Sequence, residues 1–153
     1  EILDSIPCAE KKNAVFLQGD DALNVLAKDS FQAKAFDLVI NNLAVLDDAS
    51  SKGTGSPVDF EQIANWNPEY IFLDQATKLE TITKESRWQC IKAVQADNII
   101  EVPNIPYGWL TTPPSFNQLL GLNYFARLLY PDKFSQTAQE FEEEFFQVFY
   151  PKN

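Results

Sequence analysis

Val58-Asp-Phe-Glu-Gln-Ile-Ala-Asn-Trp-Asn-Pro-Glu-Tyr-Ile-Phe-Leu73 changes its hydrophobic period halfway along. Phe60, Ile63 and Ala64 share one side at helical spacing, which predicts a short helix from Asp59 to Trp66. Asn67-Pro68 stops it, because proline cannot donate to the helix and restricts the residue before it. Tyr70 to Asp74 is then a compact apolar run of strand length. A helix that hands over directly to a buried strand is the repeating unit of an α/β fold.

Outward from this unit the alternation continues. Ala14 to Leu17 reads as a buried strand, with Gly19 breaking it and Asp20 or Asp21 placed to cap a following helix. Phe31, Ala35, Leu38 and Val39 predict a helix over 29–41 that ends at Asn41-Asn42. Residues 47–57 have loop composition. Beyond the second strand, two short helices are expected at 79–83 and 86–93, then a third strand at Ile99 to Val102. Residues 103–114 hold four prolines together with Tyr107, Gly108 and Trp109, a stiff and aromatic loop. A long helix over 115–130 is apolar on most of its circumference and should be largely buried. An amphipathic helix over 135–150 closes the chain, with Phe141, Phe145, Val148 and Phe149 on one face. The pattern predicts a three-layer α/β sandwich around a mainly parallel central sheet.

The composition narrows the function. A chain of 153 residues, 45% hydrophobic with 12 Phe, is long enough for a real core. A formal net charge of −10 repels phosphate backbones and makes nucleic acid an unsuitable partner. The chain has no histidine, which removes Ser-His triads and most zinc sites. Neither GxGxxG nor a phosphate loop is present. Cys8 and Cys90 lie in no metal-binding spacing, and separate thiols are expected rather than a pair. No stretch reaches the about 20 apolar residues of a membrane span.

Three segments in order resemble the iron-siderophore and cobalamin family of periplasmic binding proteins, the class III or cluster A group. The first is Val58 to Leu73, similar to that family's helix-to-strand unit, with Asp59 in place of its usual Ser and Glu69 in place of its usual Asp. The second runs from Arg87-Trp-Gln-Cys-Ile to Glu101-Val-Pro103. The third takes in Tyr107-Gly-Trp109, Leu119-Leu-Gly-Leu122, Leu129-Tyr-Pro-Asp132 and the final Phe149-Tyr150. Residues 13–57 match less well: Asn41-Asn-Leu-Ala-Val45 lacks the glycines the family often has there.

The resemblance implies one lobe of a two-lobed binding protein. Residues 1–12 would be the end of the helix joining the lobes, and 13–153 the C-terminal α/β lobe, with the N-terminal lobe absent. It further implies a non-enzymatic role without a resident cofactor: an iron chelate, haem or corrinoid held between lobes and delivered to an ABC permease. The location implied is extracytoplasmic, in a periplasm or at a cell surface, free or lipid-anchored.

Open α/β sheets bind ligands beyond the carboxyl ends of their strands. Those ends fall near Gln18 to Asp20, Asp74-Gln75 and Asn104 to Trp109. The resemblance points to Trp109 as a ligand-facing ring, with Tyr107 beside it; packing of Trp109 on its own loop or on the absent lobe is the alternative. Asn42, Gln75 and Lys52 are further ligand candidates. Glu61 is the candidate for docking to arginines of the permease. The rival reading is a metal-dependent hydrolase or transferase using Asp20, Asp21, Asp47 and Asp48, or a protein-interaction module.

Overall fold

A computed structural model describes residues 6–47, 55–75, 77, 79–103, 109–110 and 116–151. Its strands are β1 (Asn13–Gln18), β2 (Asn24–Val25), β3 (Asn41–Asn42), β4 (Ser56–Pro57), β5 (Tyr70–Asp74) and β6 (Ile99–Val102). Its α-helices are α1 (Lys34–Val39), α2 (Phe60–Trp66), α3 (Leu79–Lys84), α4 (Lys92–Gln95), α5 (Phe116–Leu129) and α6 (Ala138–Phe149). The strand order is β4-β2-β1-β5-β6, with β3 also paired to β1. The β1, β5 and β6 core is parallel, whereas β2 runs antiparallel to both β1 and β4, so the sheet is mixed.

Alternation along the strands sorts side chains onto two faces. Ala14, Phe16, Phe72 and Val102 face one cluster, built with Phe36 of α1 and with Leu120, Phe125 and Phe145 of α5 and α6. Val15, Leu17, Ile71 and Leu73 face the other, built with Ile63 of α2, Ile82 of α3, Trp88 of the 3-10 turn Ser86–Cys90, and Ala93 of α4. Helices on both faces give the expected three layers. The first cluster carries an edge-to-face run of rings, Phe16–Phe36, Phe36–Phe72 and Phe72–Phe125, at centroid distances of 5.6, 5.0 and 5.3 Å.

Local chemistry explains the helix ends. Asp59 and Gln62 form a reciprocal capping box at α2, and Thr137 and Glu140 another at α6. Asn67 closes α2 in the left-handed conformation at φ 43°.

Four expectations are corrected. No helix follows Gly19; residues 19–23 form a turn into β2, with Ala22 at φ 59°. Asn41-Asn42 is a strand paired with Asn13-Ala14 rather than a helix end. The helix expected over 29–41 is a 3-10 turn at Phe31–Ala33 followed by α1, and the Phe31 ring is 70% exposed. Finally, α5 is buried along one side only, since Phe116, Leu119 and Leu128 are exposed. In the stretch ahead of β1, the described residues hold one 3-10 turn, Cys8–Glu10, after Pro7.

Candidate functional site

The parallel strands end at Gln18, Asp74 and Val102, and these ends define the carboxyl rim. Each end is fixed differently. At β1, Leu23 N–H donates to Asp21 Oδ1 at 3.0 Å and shapes the turn into β2. Thr81 Oγ1 donates to Asp20 O at 3.2 Å and ties that turn to α3. At β5, Asp74 Oδ1 accepts from Gln75 N–H at 3.0 Å, and Asp74 O accepts from Thr77 N–H at 2.8 Å.

Two buried polar atoms on this rim have no hydrogen-bond partner: Gln18 Oε1 and Thr77 Oγ1. Gln18 is 7% exposed. A buried acceptor left unpaired costs on the order of 1–3 kcal/mol, a cost a donor on a ligand would relieve. Gly55, at φ +80°, makes room for this amide: a Cβ there would lie 2.6 Å from Gln18 Oε1. Gln18 marked a strand end in the sequence, but its burial depends on the approach of Gly55 from a distant loop. Thr77 carried no sequence signal at all.

Trp109 does not face outward. Its side chain is 3% exposed and belongs to the aromatic cluster. The indole meets Tyr124 edge-on at 5.4 Å and lies 6.4 Å from Phe146, so α5 and α6 enclose it. The backbone fits as tightly: a Cβ at Gly121 would come within 2.0 Å of Trp109 O. The expected ligand-facing ring is therefore corrected to a core ring. Burial of its large apolar area against three other rings outweighs exposure at the rim.

Asn42 is corrected as well. Its Nδ2 donates to Leu26 O at 3.0 Å and Asp37 Oδ1 at 2.9 Å, while its Oδ1 accepts from Ala44 N–H at 3.1 Å. The side chain clamps β3 to its neighbours and leaves little for a ligand. Asp37, which also accepts from Asp29 N–H at 2.8 Å, has its pKa pushed up by burial against those hydrogen bonds.

Gln75 is exposed next to Asp74 on the rim. Glu61 is exposed in the first turn of α2. Since α2 leads down into the start of β5, this first turn lies toward the carboxyl side of the sheet. Tyr107, Lys52 and Asp48 lie outside the described residues. Asp20, Asp21 and Asp47 are not brought together: among the described residues no group of three or more His, Cys, Asp or Glu could hold a metal ion. Cys8 and Cys90 are exposed and unbonded to each other. No helix among the described residues is long and apolar enough to cross a membrane.

None of the curated proteins compared with the chain matches it. Solved structures do. An ABC transporter solute binding protein from Sulfurospirillum deleyianum is similar at 29% identity and a TM-score of 0.88, over 99% of this chain and 47% of that one. The molybdate periplasmic binding protein MolA of Haemophilus influenzae, with molybdate bound, shares the fold at 19% identity and a TM-score of 0.76, over 99% of this chain and 46% of MolA. Helicobacter pylori CeuE with Ni(II) bound shares it at 18% identity and a TM-score of 0.75, over 99% of this chain and 49% of CeuE. The chain thus spans about half the length of each. A family model described as Periplasmic binding protein matches residues 3–106, more than half of the sequence, and the chain belongs to that family.

Proposed function

We propose that this chain is one lobe of the substrate-binding component of an ABC importer, the C-terminal lobe of residues 13–153 with residues 1–12 leading in from the other lobe. It captures an iron chelate, haem or corrinoid between lobes and hands it to a membrane permease, without chemistry of its own. The protein works outside the cytoplasm, in a periplasm or at the cell surface, free or lipid-anchored. The observation that carries this reading is the superposition over 99% of the chain on 47% of an ABC transporter solute binding protein.

The ligand-facing part of this lobe is the carboxyl rim, and the residue most in need of a partner there is Gln18, with Thr77 and the exposed Gln75 near it. A hydrogen-bond donor on the ligand would satisfy Gln18 Oε1. Trp109 acts from behind, holding the rim to α5. Glu61, exposed on the same side of the sheet, supplies charge for docking; complementary charges of this kind set orientation and encounter rate.

The test is a fluorescence titration of the full-length protein with haem, a corrinoid and ferric chelates. One of them is expected to bind, and Gln18→Ala to weaken it about tenfold, which corresponds to about 1.4 kcal/mol. Glu61→Lys should leave that affinity unchanged and slow transport into permease-containing vesicles. Absence of binding by all three classes would remove the ligand assignment, and unchanged affinity in the Gln18 variant would remove that residue from the site.

A further inference from the structure

Among the described residues, nine large apolar side chains stand exposed, and six of them lie on α5, on α6 or at its end. Four cluster at one tip of this helix pair: Phe116, Leu119, Val148 and Phe149. Phe116 and Val148 are 67% and 65% exposed. The Phe116 and Phe149 rings stack on each other at 5.5 Å, with 23° between their planes. Leu119, Val148 and Phe149 continue into a groove floored by Phe141 and Phe145. Of its polar members, Gln136 Nε2 donates to Glu144 Oε2 at 2.9 Å, so these two side chains are tied to each other.

The fold places this tip. Just past α5, Tyr130 Oη accepts from Lys12 N–H at 2.7 Å, at the residue before β1 begins. Phe125 meets Phe72 in the middle of β5 at 5.3 Å. Phe116 is nine residues nearer the helix start, about 13 Å farther along the axis. The first turns of α5 therefore reach beyond the carboxyl ends of the strands. The end of α6 returns to the same level, where Tyr150 Oη donates to Asn117 Oδ1 at 3.0 Å. Apolar surface of this kind, concentrated and bordered by the polar side chains of Asn123, Gln136 and Glu144, marks an interface.

We propose that this tip seats the other lobe of the same polypeptide. The proposal rests on the two-lobe reading above. The chain accounts for 47% of the S. deleyianum protein, which leaves a companion of about equal size to cover the tip. The tip also projects on the side of the sheet where an opposing lobe must stand to close a cleft over Gln18. The counter-surface expected is apolar at its centre, with Lys or Arg at its fringe to meet exposed Glu144.

The experiment uses the full-length protein and the double substitution Phe116→Glu with Val148→Glu. The native protein is expected to melt in one calorimetric transition, and the variant in two. Amides of 145–150 should exchange about tenfold faster in the variant, while those of β5 keep their protection and report that the lobe itself is folded. Val45→Glu, an exposed apolar site elsewhere, should leave the single transition intact. A single transition with unchanged exchange in the double variant overturns the proposal. So does a concentration-dependent dimer of the native protein that the double substitution abolishes, because the tip then belongs to a second copy. Loss of protection at the tip without binding of haem, corrinoid or ferric chelate would instead count against the ligand reading and leave the seat standing.

Discussion

The two faces of the sheet are closed by different means. On the face covered by α2, α3 and α4, aliphatic side chains and a single buried indole, Trp88, fill the interior, and the outer surface is charged, with Lys84–Glu80 and Arg87–Glu85 pairs at 2.8 and 2.7 Å. On the face covered by α1, α5 and α6, rings run from Phe16 through Phe36 and Phe72 to Phe125 and on to Trp109 and Phe146. There the aromatic character does not stop at the core but reaches the outer tip at Phe116 and Phe149. The aliphatic face is finished by this chain alone. Among the described residues, the aromatic face is closed inside and leaves apolar side chains exposed at one end.

The comparison can be broken at the core. Phe72 and Leu73 are adjacent, both fully buried, and point to opposite faces. Phe72→Ala should cost about 3–5 kcal/mol in urea unfolding, and Leu73→Ala about 2–5 kcal/mol. Since edge-to-face pairs add about 0.5–1.5 kcal/mol each, the aromatic-face variant should be the less stable of the two. Equal losses would mean that the ring geometry on that face contributes nothing beyond area.

A smaller loss should follow from Gly121→Ala. The added methyl meets the Trp109 carbonyl, a backbone atom that moves only if the loop moves. Overpacking of this kind costs about 1–3 kcal/mol. The same denaturation measurement, with tryptophan emission as probe, should show Trp109 becoming more solvated. A neutral substitution would show that α5 and the Trp109 loop are not locked together.

The smallest effect sharpens the border of the aromatic face, where Asp37 of α1 sits. Burial raises its pKa above 3.8 in the folded state. Folding therefore favours its protonated form, and its contribution to stability is full below 3.8 and declines as pH rises through the raised value. Asp37→Asn cannot titrate there. The stability of the native protein relative to this variant should fall as pH rises from 3.8 through the raised value, read as the difference in urea midpoints. A difference that rises with pH would reverse the assigned cause and make the hydrogen bonds from Asp29 and Asn42 dominant.

The long elements were legible because their signals are local. The capped helix before Asn67-Pro68 and the strand at Tyr70 to Asp74 need only neighbours in sequence to be recognised, and both stand where expected. The two-residue strands β2, β3 and β4 were not legible. Asn24-Val25, Asn41-Asn42 and Ser56-Pro57 have no strand period of their own and become strands only by lying along β1 or β2. The site divided the same way. The strand ends near Gln18 and Asp74 were readable, but the orphaned state of Gln18 Oε1 and of Thr77 Oγ1 was not.

By itself the sequence determined the α/β class, the order of the main elements and where the parallel strands end. Period, capping and chain breakers act over a few residues and require no fold to be read. Only the tertiary structure decided which aromatics face out. Trp109 goes inward because Gly121 lets α5 approach its backbone and Tyr124 and Phe146 supply rings to meet it, whereas Phe116 and Val148 stay in the open because none of the described residues covers them. Burial depends on which distant segments arrive at a residue, and a hydrophobic letter carries no record of that.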